Sequence, residues 1–278
     1  MAEPGVLLER RGGVAVVTLN RPERWNAFNE TMWAGLERTV SELEPDPGRV
    51  VVVVGAGDQA FCAGMDVNPD NPQVTALARA IETGDCESVT ALLERIRRAF
   101  DRLVGLPVPV IAAVNGAAYG GGAELAARCD LRIMDPKAIL RFSEVRLGLM
   151  PDVGGGVALT RLIGPGRAAD LILTARPVQA DEAFALGLAS RVTAPGRALD
   201  EALALARLIE ENRPLAVRSA LEVIRRTPDL PRDQALELET RLAAALIASG
   251  ECVHGIAAFL ERRLPVFPDP DPPEAKGA

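Results

Sequence analysis

Three carboxylate residues lie next to turn-like segments of the chain and are candidates for acid–base chemistry. Glu124 lies two residues after the glycine run Gly120–Gly122, Glu144 follows the apolar run Ile139–Phe142, and Asp152 lies eight residues beyond Glu144. For each carboxylate taken alone, a purely structural role is the alternative, because acidic residues near helix starts commonly complement the helix dipole. The chain contains a single histidine, however. Acid–base chemistry therefore falls to the carboxylates.

Glycine-rich turns accompany these carboxylates, and they occupy residues 55–66, 115–124 and 151–156. Consecutive glycines between a strand and a helix let backbone N–H groups approach a ligand, and the helix dipole adds positive potential. These are the requirements of an oxyanion hole. A phosphate cradle is the rival interpretation, but neither of its usual glycine spacings occurs here in the expected setting. A third interpretation is that the glycines only allow tight packing of the backbone. Beside carboxylates, an amide-lined hole suits proton transfer next to a polarised carbonyl.

Other nucleophiles and metal ligands are few in this sequence. His254 is interpreted as a helix-start residue, because nothing orients it as a base toward a nucleophile. A metal site built from several histidines is excluded. The four cysteines are too widely spread for zinc-type pairing and are predicted to be reduced, mostly buried thiols of a cytoplasmic protein: Cys62, Cys86, Cys129 and Cys252.

The charge balance argues against a nucleic-acid partner. The chain has 31 Lys and Arg against 38 Asp and Glu, so its formal net charge is −7. Phosphate backbones require a positive surface, although local basic groups could still hold a small phosphorylated ligand. The longest wholly apolar run, Leu242–Ala248, has about seven residues, far below the roughly twenty that span a bilayer. We therefore expect no membrane insertion, and the amino-terminal residues show no secretory signal.

Short apolar runs alternate with amphipathic segments over the first two-thirds of the chain, which predicts an α/β core. The predicted strands are Val14–Leu19, Val50–Val54, Val108–Val114, Leu131–Met134 and Ile139–Phe142, and the predicted helices are Asn29–Leu43 and Ser88–Val104. Later residues are mostly helical, with predicted helices at Arg167–Thr174, Ala180–Leu186, Asp200–Glu211, Pro214–Arg226 and Pro231–Ser249, and one predicted strand at Ala189–Val192. The polar insertion Asn68–Asp85 is left without an assigned structure.

These patterns divide the chain into three predicted parts. Residues 1–195 form the α/β core, and residues 196–265 form a carboxyl-terminal helical region. Residues 266–278 are rich in proline and lack hydrophobic periodicity, so we expect them to be disordered.

Several motifs, taken in order along the chain, resemble the crotonase superfamily, also called the enoyl-CoA hydratase/isomerase superfamily. The resemblance extends from about Val6 to Phe267. The matching segments are Asn20-Arg21-Pro22 with Asn26-Ala27-Phe28, then Ala60–Asp66, Pro109–Gly116, Gly120–Leu125, Phe142–Leu149 and Gly255–Arg263. Several motifs in the expected order and register identify a family far more specifically than any single motif does.

The resemblance implies a fold of repeated ββα units, with a carboxyl-terminal helical region that drives trimer formation and often a dimer of trimers. It implies an acyl-CoA thioester as substrate and no metal or redox cofactor. The backbone N–H groups of Met65 and Gly121 would form the oxyanion hole, and Glu124 and Glu144 match the two carboxylates used in hydration. The residues implied in binding substrate or CoA are Arg24, Ala27, Ala63, Asp66, Tyr119, Phe259 and Arg262.

The resemblance leaves three activities open. The leading one is reversible addition of water to trans-2-enoyl-CoA thioesters. The second is isomerisation of enoyl-CoA or 3,5-dienoyl-CoA, because Asp152 matches the position of a catalytic aspartate in some isomerases of the superfamily. If the protein is instead a hydratase, Asp152 is expected to cap the amides of the turn Gly154–Gly156. The third is acyl-CoA binding without catalysis, which the presence of both glutamates argues against.

Overall fold

A computed structural model describes residues 4–250 and 252–263 of the chain. Its strands are β1 (Val6–Arg11), β2 (Val14–Leu19), β3 (Val50–Gly55), β4 (Ala60–Cys62), β5 (Val110–Val114), β6 (Ala117–Tyr119), β7 (Leu131–Met134), β8 (Ile139–Arg141), β9 (Val178–Gln179) and β10 (Arg191–Val192). Its α-helices are α1 (Glu30–Leu43), α2 (Pro72–Thr83), α3 (Cys86–Val104), α4 (Gly121–Arg128), α5 (Gly155–Ile163), α6 (Pro165–Thr174), α7 (Ala180–Ala185), α8 (Ala198–Glu210), α9 (Pro214–Arg226), α10 (Arg232–Ala248) and α11 (Cys252–Leu260).

The larger sheet has six strands in the order β1-β2-β3-β5-β7-β10. Strands β1 and β2 are antiparallel, and all other neighbours in this sheet are parallel. Every residue of β3 is buried, as the continuous valine run of its sequence predicts for a parallel strand that is covered on both faces. Helices α1 and α3 contribute to the core on one face, and α8 covers the other with Ala202, Leu203 and Ala206.

A smaller sheet, in the order β4-β6-β8-β9, is formed by short strands that follow the strands of the larger one. Its first three strands pair in parallel, and β9 joins antiparallel to β8. Long strand, short strand and helix thus recur as β3-β4-α3, β5-β6-α4 and β7-β8-α5, with α2 inserted in the first unit. This is the repeated ββα arrangement that the family resemblance implies, and it places the ends of β4, β6 and β8 side by side.

Most of the elements predicted from the sequence are present, with small shifts at their ends. The predicted strand at Val108–Val114 begins only at Val110, because Pro109 has no N–H group to donate to a sheet ladder. Helix α1 begins one residue later than predicted, since Asn29 serves as its cap and accepts a hydrogen bond from the N–H of Met32.

Several elements were not predicted, and they include β1, α2 and α5 as well as the short strands β4, β6 and β9. Strands β4 and β6 lie inside segments interpreted only as glycine-rich turns, and the insertion after Asp66 contains α2. The side chain of Asn71 caps α2 by accepting a hydrogen bond from Gln73, and Pro72 stands at the first helical position, where it costs no hydrogen bond. The prediction of mostly buried cysteines is wrong for Cys86 and Cys252, because each begins a helix outside the core and is exposed.

The carboxyl-terminal helices α9 and α10 are present as predicted, and His254 lies in the first turn of α11, while the tail at 266–278 lies outside the described residues. The boundary at residues 195 and 196 stays a prediction. Among the described residues, no single helix is both long and apolar enough to cross a membrane. Helices α10 and α11 reach the length and composition of a span only when taken together, across a 71° bend.

Candidate active site

The two backbone amides predicted to form an oxyanion hole belong to adjacent segments of the chain. Met65 forms an isolated parallel bridge with Phe28, in which Phe28 donates to the carbonyl of Gly64 at 2.7 Å and accepts from Asp66 at 2.8 Å. A parallel bridge of this kind uses the groups that flank Met65, so the N–H of Met65 itself points away from Phe28. Neither this N–H nor that of Gly121 donates to any described residue.

Gly121 is the first residue of α4, where backbone N–H groups have no partner inside the helix. A side chain at Gly64 could not fit, because a Cβ atom there would lie 3.0 Å from the nitrogen of Gly121 and 2.9 Å from the carbonyl oxygen of Tyr119. Gly64 also has a φ of +87°, which favours glycine. The segment that carries the Met65 amide therefore lies directly against the start of α4.

Glu124, in the first turn of α4, is buried with 1% of its surface exposed. One carboxylate oxygen accepts hydrogen bonds from the N–H of Gly155 at 2.7 Å and of Val153 at 3.1 Å. The other oxygen lies 3.4 Å from the N–H of Asp152. A Cβ atom at Gly155 would overlap the Glu124 side chain, so glycine is required there for this contact.

Glu144 begins the 3-10 turn Glu144–Leu147 that follows β8, and 8% of its surface is exposed. Both of its carboxylate oxygens are buried, and no described residue donates a hydrogen bond to them. A Cβ atom on Gly120 would lie 3.5 Å from one of these oxygens, so the carboxylate stands beside the backbone that leads into Gly121. A buried carboxylate without donors is unusual in a folded protein and marks a candidate catalytic group.

Burial perturbs the acidity of both glutamates. It raises the pKa of Glu124 to about 8, and the negative charges of Glu144 and Asp152 add to the rise while the amides of Gly155 and Val153 oppose it. Burial likewise raises the pKa of Glu144, and the charge of Asp152 adds to the effect, whereas the backbone N–H of Glu144 and the neighbouring Glu124 carboxyl group oppose it. Since each carboxyl group changes the pKa of the other, the two groups titrate as a pair. Such a pair retains a proton near neutral pH and can give or take it.

Asp152 follows Pro151 in the turn before α5 and is exposed. The protein atoms around its carboxylate still displace enough water to raise its pKa, which its own N–H partly opposes. The expectation that Asp152 caps the turn Gly154–Gly156 is wrong. The carboxylate of Glu124 holds the amides of Val153 and Gly155 instead, because α4 brings that longer side chain under the turn.

Three residues predicted to bind substrate or CoA, Asp66, Arg24 and Ala27, differ in their burial and in their hydrogen bonds. Asp66 is buried and forms an ion pair with Arg21 at 2.5 Å, and it also accepts from the N–H of Asn68 at 3.0 Å. Although burial raises it, these two hydrogen bonds lower the pKa of Asp66 overall. Its carboxylate therefore holds the loop together rather than standing free for a ligand. Arg24 is exposed, Ala27 is buried, and Ala27 gives its carbonyl to Arg21 at 3.2 Å.

Trp25 is a pocket candidate that the sequence analysis missed. Its carbonyl accepts a hydrogen bond from Ala63 at 3.0 Å, two residues before Met65. Its ring lies 6.3 Å from that of Tyr119, two residues before Gly121, and 43% of the Trp25 surface is exposed. Trp25 is therefore bonded to the segment that carries the Met65 amide, and its ring lies beside a residue of the segment that carries the Gly121 amide. The sequence feature that could have identified Trp25 is its position inside the Asn20–Phe28 motif.

Phe259 and Arg262 are both exposed, and neither makes a hydrogen bond or an ion pair with a described residue of the site. A separate cavity of about 320 Å³ lies between α1, α2 and α3, lined partly by Glu30, Gln73 and Arg95, and it contains none of the residues predicted for the site. The carboxylates and amides, rather than this cavity, therefore define the candidate site. In the described residues, no group of three or more His, Cys, Asp and Glu side chains could hold a metal ion.

Comparison with known proteins gives a consistent result. The family model for enoyl-CoA hydratase/isomerase matches residues 9–270. A relative from Thermus thermophilus is 40% identical over 258 residues, which cover 92% of this chain and 98% of the relative. The short-chain-enoyl-CoA hydratase of Clostridium acetobutylicum is 36% identical, over 93% of this chain and 95% of that protein. The crystal structure of an enoyl-CoA hydratase from Bacillus anthracis superimposes with a TM-score of 0.86 at 32% identity, covering 95% of this chain and 98% of that one.

Proposed function

We propose, from the premise that this chain belongs to the enoyl-CoA hydratase/isomerase family, that it adds water reversibly to the 2,3 double bond of trans-2-enoyl-CoA thioesters. The observation that carries the proposal is the position of Glu144. Its two buried oxygens have no donor among the described residues, and they stand beside the backbone of Gly120 that leads to the Gly121 amide. Glu124, the second carboxylate, titrates with it.

In the proposed reaction the thioester carbonyl oxygen accepts hydrogen bonds from the N–H groups of Met65 and Gly121. These amides stabilise the negative charge that the oxygen gains as the enolate-like transition state forms. The amides are fixed in the folded chain before substrate arrives, so they need no reorganisation during the reaction.

Glu124 and Glu144 hold the attacking water and move its protons. The water oxygen bonds to C3 while one glutamate takes a proton from it, and the electron pair of the double bond forms a new C–H bond at C2 with a proton that the pair supplies. The product gains one water, and the glutamates return to their starting protonation. We assign proton delivery at C2 to Glu144, because its oxygens are not occupied by backbone donors, and water positioning to Glu124.

The test is incubation of the purified protein with crotonyl-CoA and, separately, with a 3,5-dienoyl-CoA. Products are followed by mass spectrometry and ultraviolet absorbance. A mass gain of one water from crotonyl-CoA supports hydration. A spectral shift of the dienoyl thioester at unchanged mass supports isomerisation instead. If neither thioester reacts but both bind, the protein is an acyl-CoA-binding homologue and the proposal fails.

Isomerisation is the second candidate, and the surroundings of Asp152 favour it. Its carboxylate accepts no hydrogen bond from the amides of Val153 and Gly155, and its charge acts on both Glu124 and Glu144. A base at this position could remove protons from acyl carbons that lie beyond the reach of Glu124. We rank this activity second because hydration uses both buried glutamates, whereas isomerisation needs no positioned water.

We further propose that the chain works as a homotrimer or a dimer of trimers in the cytoplasm, with no metal or redox cofactor. The described carboxyl-terminal helices carry large exposed apolar side chains that a neighbouring copy could cover: Ile224, Leu236, Ile247, Val253, Ile256, Phe259 and Leu260. The free state of all four cysteines supports a reducing compartment. Arg24, Phe259 and Arg262 would contact the CoA nucleotide, the last two from a neighbouring subunit. Analytical ultracentrifugation tests the assembly, and a monodisperse monomer or dimer contradicts it.

A further inference from the structure

Two side chains of α4 hold opposite edges of one peptide segment in the turn before α5. Glu124 accepts hydrogen bonds from the N–H of Val153 and of Gly155. Arg128, four residues later on α4, donates from Nη1 to the carbonyl oxygen of Val153 at 2.6 Å. Residues four apart lie on the same face of a helix, so both reach the same turn. Val153 is therefore bound to α4 through its N–H and through its carbonyl.

Arg128 is itself held in place on two sides. Its guanidinium forms an ion pair with Asp101 of α3, and 12% of its side chain is exposed. On the other side it packs against Gly154, where a Cβ atom would lie 3.1 Å from Nε and 3.2 Å from Cζ. The guanidinium is thus enclosed between α3 and the turn, with its hydrogen-bond donors directed at two fixed acceptors. Such an arrangement lets one side chain determine where the turn lies.

We propose that Arg128 is a positioning residue for the reaction, which keeps the Val153 and Gly155 amides on Glu124 by holding the Val153 carbonyl. This inference rests on the proposed function, in which Glu124 orients the attacking water. The groups facing Glu124 from the packed elements are Glu144 after β8 and Asp152 before α5, both acidic, and the amides of the turn. The amides are the groups that favour its ionised form, so their placement controls how readily Glu124 accepts a proton.

Removing Arg128 has distinguishable consequences if the proposal is right. The turn moves away from α4, the amides leave Glu124, and the ionised carboxylate loses stabilisation. The acid limb of the pH–rate profile therefore shifts to higher pH, and kcat at neutral pH falls about tenfold. The KM for thioester stays within about twofold, because the Met65 and Gly121 amides lie on other segments.

The experiment measures kcat and KM for crotonyl-CoA across pH, together with Tm, in the wild type and four variants. Arg128→Met removes the donor, Arg128→Lys keeps one donor, and Asp101→Asn weakens the anchor. Arg102→Met is the matched control, because Arg102 joins α3 to Glu44 at 2.7 Å without contacting the turn. We expect the acid limb to shift most in Arg128→Met, less in Arg128→Lys and Asp101→Asn, and not at all in Arg102→Met.

An unchanged acid limb and unchanged kcat in Arg128→Met, with only a lower Tm, would overturn the proposal. If Arg128→Met does not fold, an unchanged acid limb and an unchanged kcat in both Arg128→Lys and Asp101→Asn would overturn the proposal. If the wild type hydrates nothing, the proposed function fails, and the positioning role is tested directly by carboxyl ¹³C NMR. The Glu124 signal, identified by its loss in Glu124→Gln, should then titrate at higher pH in the Arg128 variants. Identical titration in wild type and variants would also overturn the inference.

Discussion

The carboxylate of Glu124 lies 2.7 Å from the amide nitrogen of Gly155, and the Glu124 side chain occupies the space into which a Cβ atom at position 155 would project. The start of α5 and the first turn of α4 are therefore packed against each other through one glycine. A group proposed to position water thus depends on a residue that has no side chain.

Gly155→Ala should displace Glu124 and lower kcat for crotonyl-CoA hydration about tenfold or more, because the added methyl overlaps the carboxylate side chain. Gly156→Ala is the matched control. Its Cβ atom would lie 3.4 Å from Pro151, an ordinary contact, and alanine inside a helix is stabilising by about 0.4–1 kcal/mol. Steady-state kinetics and thermal unfolding of the two variants check this. Equal kcat in both would show that Glu124 tolerates displacement.

Glu144→Gln and Glu124→Gln should each lower kcat by about 10²-fold or more while thioester affinity is nearly unchanged, since glutamine keeps the shape but cannot exchange a proton. Glu42→Gln, an exposed position on α1, serves as the control. Kinetics with crotonyl-CoA and titration calorimetry with a saturated acyl-CoA separate catalysis from binding. Full hydration activity in Glu144→Gln would rule out the two-glutamate mechanism.

Stability should fall as pH rises through the range where Glu124 ionises. The folded chain keeps the Glu124 proton up to a pKa of about 8, whereas the unfolded chain releases it near 4.5, so the folded state binds more protons between these values. The free energy of unfolding should therefore decrease from about pH 4.5 to about pH 8. Each unit by which folding raises the pKa corresponds to about 1.4 kcal/mol, and Glu144 shares the titration.

Denaturant unfolding of wild type and Glu124→Gln measures this change when it is repeated from about pH 5 to about pH 9. The variant should lose the part of the pH dependence that Glu124 contributes, leaving the part from Glu144 and Asp152, while Glu42→Gln should retain all of it. Parallel curves for wild type and Glu124→Gln would mean that the Glu124 carboxyl group is not the source.

Asp152→Asn should leave hydration of crotonyl-CoA within a few-fold of wild type. Its effect on stability should be within about 0.5 kcal/mol, because Asp152 is exposed and does not cap the following turn. If the protein is an isomerase, the same change abolishes conversion of 3,5-dienoyl-CoA without altering thioester binding. Loss of isomerisation in this variant, together with little hydration in the wild type, would replace the leading proposal with the second.

Trp25 should report ligand binding, because its exposed ring lies beside Tyr119 and its carbonyl is bonded to Ala63, two residues before Met65. The other tryptophan, Trp33, is 4% exposed and stacks on Phe28 in the core. Adding an unreactive acyl-CoA should change tryptophan fluorescence in wild type and in Trp33→Phe, but not in Trp25→Phe. A response that persists in Trp25→Phe would place the thioester elsewhere.

The local elements followed closely from the sequence, because hydrophobic periodicity and capping act over a few residues. The valine run Val50–Val54 predicted a doubly covered strand, and Pro214–Arg226 matched α9 end to end. Strands β4 and β6 could not be predicted in the same way, since three residues inside a glycine-rich segment carry no detectable periodicity. They exist because the preceding strands of the large sheet bring them side by side.

The sequence by itself determined which residue types were available for chemistry: a single histidine left carboxylates and backbone amides. It also determined the family, because ordered motifs stand in register along most of the chain. Only the tertiary structure decided how these residues relate. Glu124 accepts hydrogen bonds from the amides of Val153 and Gly155 across 29 and 31 residues. Asp152 is much closer to these amides in sequence but accepts no hydrogen bond from them. Contacts of this separation depend on how the ββα units pack, and packing geometry is not encoded in the spacing of any one motif.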